Sequence, residues 1–348
     1  MFASQKEQYD IRTRTDRIGK YFRKYLNRFV FAEFSEEFAK KSKAGDLMLG
    51  IPIPLREEEV KDFAGGSGIS MSVIAENMAW VMGCDPHFRH TGDYAAILSA
   101  LFGSGISEAM LKTGRDAAEK GDMDNACIHF RAALCVKPGY LDAMYSYARA
   151  CRAIYLAGDS EEHVGRFKAE ALEWFEMLTE VHPKFAQGYY YLGYAYLNLG
   201  LYAKADIAWK RFMKLSRISK DKKEIRKRLE QIEEPIRIEE GCNDIMAGRY
   251  EKGLQILEPF LSSRFSDWWP LHYYLGALPV ASSILPISLP AQASRADFSE
   301  AFHLPSGSLP RLPSDPPSSV PVPSGSFANT FRHSLHLPRL CICQEAPA

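Results

Sequence analysis

The chain has 348 residues, 46% of them hydrophobic and 25% charged, and its 43 basic and 43 acidic side chains balance to a formal charge of zero. That length suffices for two or more domains with real cores, and the balance excludes a globally basic nucleic-acid binder or a chain built for an acidic partner. The seven cysteines (Cys84, Cys127, Cys135, Cys151, Cys242, Cys341 and Cys343) are odd in number, scattered and free of any CxxC, which fits reduced thiols in a cytoplasmic setting better than a disulfide framework.

In chain order, the opening "MFASQKEQYDIRTRTDR" lacks the apolar core of a secretory signal. No run of about 18 uncharged apolar residues occurs anywhere, so no membrane span is expected. Apolar side chains at Ile11, Ile18, Phe22, Tyr25 and Phe29, then Phe34 and Phe38, follow helical spacing and predict one long helix or two. "GIPIPL" (50–55) predicts extended chain, because each proline biases its predecessor away from helix. Ser70 to Gly83 and Asp93 to Gly105 read as buried helices closed by glycine. Residues 1–106 are thus expected to form a helical N-terminal domain that caps the open end of a stack of repeats beginning near residue 107.

Two motifs in this region invite chemistry. "CDPHFRH" offers Cys84, His87 and His90, but a fourth zinc ligand is missing and Pro86 makes the stretch a loop, so a turn with surface histidines is the reading and no metal is assigned. "AGGSGIS" (64–70) precedes a helix yet lacks the GxxxxGK[ST] pattern of a phosphate loop, and reads as a linker. No GxSxG, HExxH or kinase set appears, and the carboxylate pairs Glu36-Glu37 and Glu161-Glu162 fit a solvated face. No cofactor and no catalytic residue is implied.

From about residue 107 the chain repeats itself. Gly114, Gly121, Ala126 and Phe130 lead to Pro138; 45 residues on, Ala171, Phe175 and Pro183 fall in step; another 34 on come Ala205 and Trp209, preceded by Gly193 and Gly200. A further copy lies 48 residues later, with Gly248, Tyr250 and Gly253 over Gly200, Tyr202 and Ala205. Each unit predicts two antiparallel helices. Small residues (Gly114, Ala148, Gly193) permit close helix approach, the aromatics fill the space between helices, glycines make the tight turn, and the prolines stop the second helix.

The units, the best being "AQGYYYLGYAYLNLGLYAKADIAWKRFMKLS" (186–216), resemble the tetratricopeptide repeat (TPR) family. The resemblance implies an all-α fold: a TPR-like solenoid of about four helix pairs (107–140, 141–185, 186–219 and 234–267) and a partial fifth from 268, the repeat region spanning 107–278. The second helix of the third unit is expected to end near 219 or to run on through "RISKDKKEIRKRLEQIEEP". With its N-terminal region, the chain resembles uncharacterised bacterial TPR proteins.

By the family's pattern, the first helices would line a concave groove with Tyr145, Arg149 and Arg152 in the second unit and Tyr190, Tyr194, Leu197 and Asn198 in the third. Tyrosine and arginine there suit an extended or helical peptide; the alternative is that "YYYLGYAY" is packing between repeats. The Lys/Asn clamp of chaperone-tail binders is not matched, since Leu111 and Arg115 stand in its places. The implied function is a non-catalytic scaffold or adaptor for a protein or peptide. Two rivals are an enzyme seated in the N-terminal domain and a nucleic-acid regulator using 210–228, where ten basic residues meet two acidic ones. "RLEQIEEPIRIEE" overlaps the end of that run and supplies compensating acid, so a charged face is the simpler reading and nucleic acid is not the expected partner. The tail, 279–348, holds 12 of the 20 prolines, many serines and no lysine. It is expected to be disordered, and is read either as foreign to the fold (a shifted frame, a non-coding stretch or a fused segment) or as a Pro/Ser linker.

Overall fold

A computed structural model describes residues 9–33, 36, 45–64, 69–158 and 160–276. The described chain divides into two compact units, one up to Gly188 and one from Tyr189 onward.

The first unit opens with an arm, residues 10–28, that is not the predicted long helix. It is a chain of single turns: a 3-10 turn at Ile11–Thr13, one helical turn at Gly19–Phe22 and a 3-10 stretch at Arg23–Arg28. Asp10 starts it by accepting the Arg12 amide at 2.9 Å. The arm then becomes strand β1, Phe29–Ala32, antiparallel to β2, Ile53–Arg56, with Phe29 opposite Arg56 and Ala32 opposite Ile53. Aromatic and β-branched side chains at Phe29, Val30 and Phe31 prefer the pleat, and the prolines keep the partner extended. Pro54 has no N–H to give, which a two-stranded sheet tolerates. The extended reading of 50–55 holds; the helical reading of Phe29 does not. The motif at 65–68 and residues 34–35 and 37–44, including Glu37 and Phe38, lie outside the described residues.

Helix α1, Glu57–Ala64, leads to α2, Met71–Cys84, which Ser70 caps by accepting the Val73 amide at 3.3 Å. The buried Asn77 ties α2 back to the strand, donating to Pro54 O at 3.1 Å and to Glu59 at 2.6 Å. Helix α3, Thr91–Phe102, is anchored likewise by Tyr94, whose hydroxyl donates to Pro52 O at 2.5 Å. The repeats come next: α4 (Gly105–Glu119) with α5 (Met123–Val136), and α6 (Leu141–Ala157) with α7 (Glu161–Val181). Gly121 turns α4 into α5 at φ 81°. A Cβ on Gly114 would stand 2.5 Å from the Phe130 ring, so the glycine is what lets the pair close.

The N-terminal residues are not confined to one end of this stack. The arm crosses the second helices of both pairs: Asp16 meets Arg131 of α5, while Arg14, Arg17 and Lys20 meet Glu173, Glu170 and Glu162 of α7. Phe22 packs edge-on against Phe167 at 6.2 Å. α2 lies on α5, and its Gly83 sits against the Ile128 carbonyl where no side chain would fit.

In the second unit, α8 (Ala186–Leu197, followed here from Tyr189) pairs with α9 (Tyr202–Leu215) through the positive-φ Gly200. A Cβ on Gly193 would fall inside the Trp209 indole, whose Nε1 donates to Tyr190 O at 3.1 Å. α9 stops at Leu215 rather than running on. A new helix, α10, begins at Ser219 and continues without a break to Met246, with Pro235 inside it. The first helix of the fourth pair therefore starts well before 234, because Ile225, Ile232, Ile238 and Ile245 keep one buried face in register past the proline. Its partner is α11, Tyr250–Leu257, reached through Gly248. Gly241 faces Leu257 as Gly193 faces Trp209, the same sixteen residues apart. Phe260, Phe265, Leu271 and Leu275 complete this core, the last two from α12, Trp269–Gly276. The tail from 279, with Cys341 and Cys343, lies outside the described residues.

Candidate functional site

On α6, Tyr145, Arg149 and Arg152 recur at helical spacing and share one face. All three are half-buried. The Tyr145 ring meets Phe185 edge-on at 5.2 Å, and the Arg149 guanidinium lies over Tyr145 at 5.3 Å. Beside them Arg115 of α4 donates to Asp142 at 3.1 Å, tying the two first helices together. The result in the first unit is a first-helix surface with a partly covered aromatic ring under the Arg149 guanidinium, while Nε and Nη2 of Arg152 are buried.

In the second unit, Tyr190 is 5% exposed and Tyr194 1%. Their rings pack against Phe212 and Trp209 at 5.3 and 5.1 Å, and both hydroxyls donate to Glu224 of α10, at 3.2 and 2.5 Å. Burial first, and the carboxylate second in the case of Tyr194, push that hydroxyl's pKa above the ordinary tyrosine value. Arg228 covers the Tyr194 ring at 5.8 Å. These tyrosines join α8 to α9 and α10, as the packing alternative has it, while Leu197 and Asn198 are half-buried at the end of α8. Glu224 was not legible as a partner: it sits in a run read for its basic charge, and repeat spacing says nothing about what a tyrosine hydroxyl reaches.

A second polar constellation joins the arm to α5, α6 and α7. Arg131 is 1% exposed and donates to Asp16 at 2.7 Å. Glu170 accepts from Tyr147 at 3.0 Å and from Trp174 at 2.8 Å, with Arg17 3.3 Å away. Burial raises the Glu170 carboxyl above its usual range against the pull of Arg131 and the two donors. The cavity beside it measures about 10 Å³, room for one water molecule and no substrate. The charges there serve one another and clamp the arm. A wider, open hollow of about 430 Å³ is bordered by Tyr25, Asp122, Asp124 and His163. Its acids are engaged: Asp122 caps α5 by accepting the Asn125 amide, and Asp124 accepts the Tyr25 hydroxyl at 2.7 Å.

The Cys84, His87 and His90 stretch is not drawn into a ligand set. Cys84 is buried with its thiol pushed up to about 12 by burial, His87 is exposed, and His90 contacts Asp93 at 2.8 Å. Among the described residues no group of three or more His, Cys, Asp or Glu is placed to hold a metal ion, and no single helix is long and apolar enough to cross a membrane.

No family model and no curated protein matches the sequence. Among solved structures, the chain is similar to a thermophilic TPR protein of Thermus thermophilus at 18% identity, over 58% of this chain and 97% of that one, with a TM-score of 0.33. The helix pairs, their glycine turns and the sixteen-residue spacing of Gly114 to Phe130, Gly193 to Trp209 and Gly241 to Leu257, read from this chain's own packing, are those of a TPR-like helical repeat protein.

Proposed function

We propose that the protein is a non-catalytic scaffold or adaptor that holds another protein, or a peptide segment of one, against its first helices. The observation that carries this reading is the Arg149–Tyr145 stack on α6. A guanidinium held over a ring is partly desolvated and pre-oriented, so it loses little freedom when it pairs with a partner's carboxylate. Arg152 lies one turn further along the same face with part of its guanidinium buried, and the second unit offers Leu197 and Asn198 on its own first helix. Tyr190 and Tyr194 enter as the packing that fixes that helix. A reducing, cytoplasmic setting suits the five described cysteines, all of them free thiols.

The test is affinity capture from the source cell with three chains: the natural one, Arg149→Glu/Arg152→Glu, and Tyr190→Phe/Tyr194→Phe. The expected result is a partner kept by the natural and tyrosine-altered chains and lost by the arginine pair, with the arginine variant melting like the natural chain. A partner bound equally by all three removes the α6 face from consideration.

A further inference from the structure

The outward side of α9 differs from its inward side in a way that packing does not require. Tyr202, Ala205, Ala208, Trp209 and Phe212 bury one face of the helix. The opposite face carries Lys204, Ile207, Arg211 and Lys214 at helical spacing, and the turn that ends the helix adds Arg217 and Ile218; all six are exposed. Ile207 is 68% exposed and Ile218 50%. Lone exposed aliphatics are ordinary on a protein surface. Two that flank a row of cations are a pattern.

Part of the row is unneutralised, although Lys204 is drawn by Glu239. Among the described residues, Lys214 and Arg217 have no carboxylate within ion-pairing distance, and Asp206, one turn away, faces Lys210 at 2.7 Å. In a chain of zero formal charge this is a local concentration of positive charge. Aliphatic side chains beside lysine and arginine make up the surface that lies in a lipid headgroup layer: the apolar tips enter the acyl boundary while the long cationic stems reach the phosphates. Single-stranded nucleic acid asks instead for open aromatic platforms on which bases stack; the rings nearest this face, Tyr189 and Tyr196, are half-buried, with Arg211 and Lys204 over them.

We infer that the outward face of α9 and the turn after it dock the protein on an anionic phospholipid surface. Ile207 and Ile218 enter the headgroup layer, and Arg211, Lys214 and Arg217 meet the lipid phosphates.

Sedimentation of the full chain with lipid vesicles tests this. One set is phosphatidylcholine alone and the other contains roughly a third phosphatidylglycerol. The expected result is pelleting with the anionic set only, weakening as salt is raised. Arg211→Glu/Lys214→Glu/Arg217→Glu should lower binding by about tenfold or more. Ile207→Ser/Ile218→Ser should lower it by roughly several-fold. All five positions are solvent-facing, so the melting curves should stay unchanged; if the charge reversal shifts its curve, the milder Arg211→Gln/Lys214→Gln/Arg217→Gln is read in its place. Failure to pellet at low salt overturns the inference. So does undiminished binding by the charge variant, or indifference to loss of both isoleucines. Tighter binding to an oligonucleotide than to vesicles, abolished by the charge variant, assigns the face to nucleic acid and overturns it as well.

Discussion

At Gly193 a single methyl group has nowhere to go, because the Trp209 indole fills the place a Cβ would take. Gly193→Ala should destabilise the protein by about 1–3 kcal/mol through overpacking, as urea titration would read it. Gly165, exposed in the second turn of α7 with open space around it, is the control. Gly165→Ala should stabilise by about 0.5–1 kcal/mol, since alanine gives up less backbone freedom on folding. If both substitutions behave alike, the close-approach argument fails. His129 makes a prediction of another kind. It is buried, its Nδ1 lies 3.0 Å from the Asn125 carbonyl, and burial lowers its pKa below the usual 6.5. The unfolded chain then takes up this proton at higher pH than the folded one, so stability rises with pH through that window and is lost as pH falls below 6.5. Melting temperature measured across roughly pH 7 to 5 should fall more steeply for the natural chain than for His129→Gln.

Among the elements, the arm is held by ion pairs as well as by its buried Ile11, Ile18 and Phe22. Arg17 reaches both Glu170 and Glu173, yet its side chain is 37% exposed, so solvent screens much of the attraction. A double-mutant cycle on Arg17→Ala and Glu173→Ala should return a coupling of about 0.5–1 kcal/mol that shrinks in high salt. A coupling of zero at low salt would leave the buried Asp16–Arg131 pair and the apolar contacts of Ile18 and Phe22 to tether the arm. The elements also show what the residues alone could reveal. Gly114 and Gly193 announced the helix pairs, because close approach admits few residue types and the repeat shows it more than once. β1 was hidden, because Phe29 satisfies helical spacing and strand preference alike, and only its pairing with β2 decides. The unbroken α10 was hidden too: Pro235 reads as a stop, whereas buried isoleucines on both sides of it hold the helix together. The candidate site was half legible. The resemblance to the family put Tyr145, Arg149 and Arg152 on one face, but the hydroxyls of Tyr190 and Tyr194 reach Glu224, which comes from an element that repeat spacing does not define.

For the whole molecule, the cysteines give a built-in reporter. Cys84, Cys127, Cys135, Cys151 and Cys242 are buried and spread from α2 to α10, and burial pushes the thiols of Cys84, Cys135 and Cys242 up to about 12. Burial closes access to all five in the folded state, and in those three the thiolate is suppressed as well. In a chain carrying Cys341→Ser and Cys343→Ser, Ellman's reagent should label none of the five in native buffer. In urea it should label all five along the same curve as the loss of helical signal. Early labelling of Cys242 alone would show that the second unit opens independently of the first.

The arm's seat has a consequence for how the protein is made. Arg17 and Glu173 stand 156 residues apart along the chain. During translation the arm leaves the ribosome on the order of ten to thirty seconds before the helix it grips has been synthesised. Through that interval Phe22 and its neighbours must remain soluble without their partner. The cationic side chains that later form the clamp, Arg14, Arg17 and Lys20, are well suited to keeping the nascent segment from premature association.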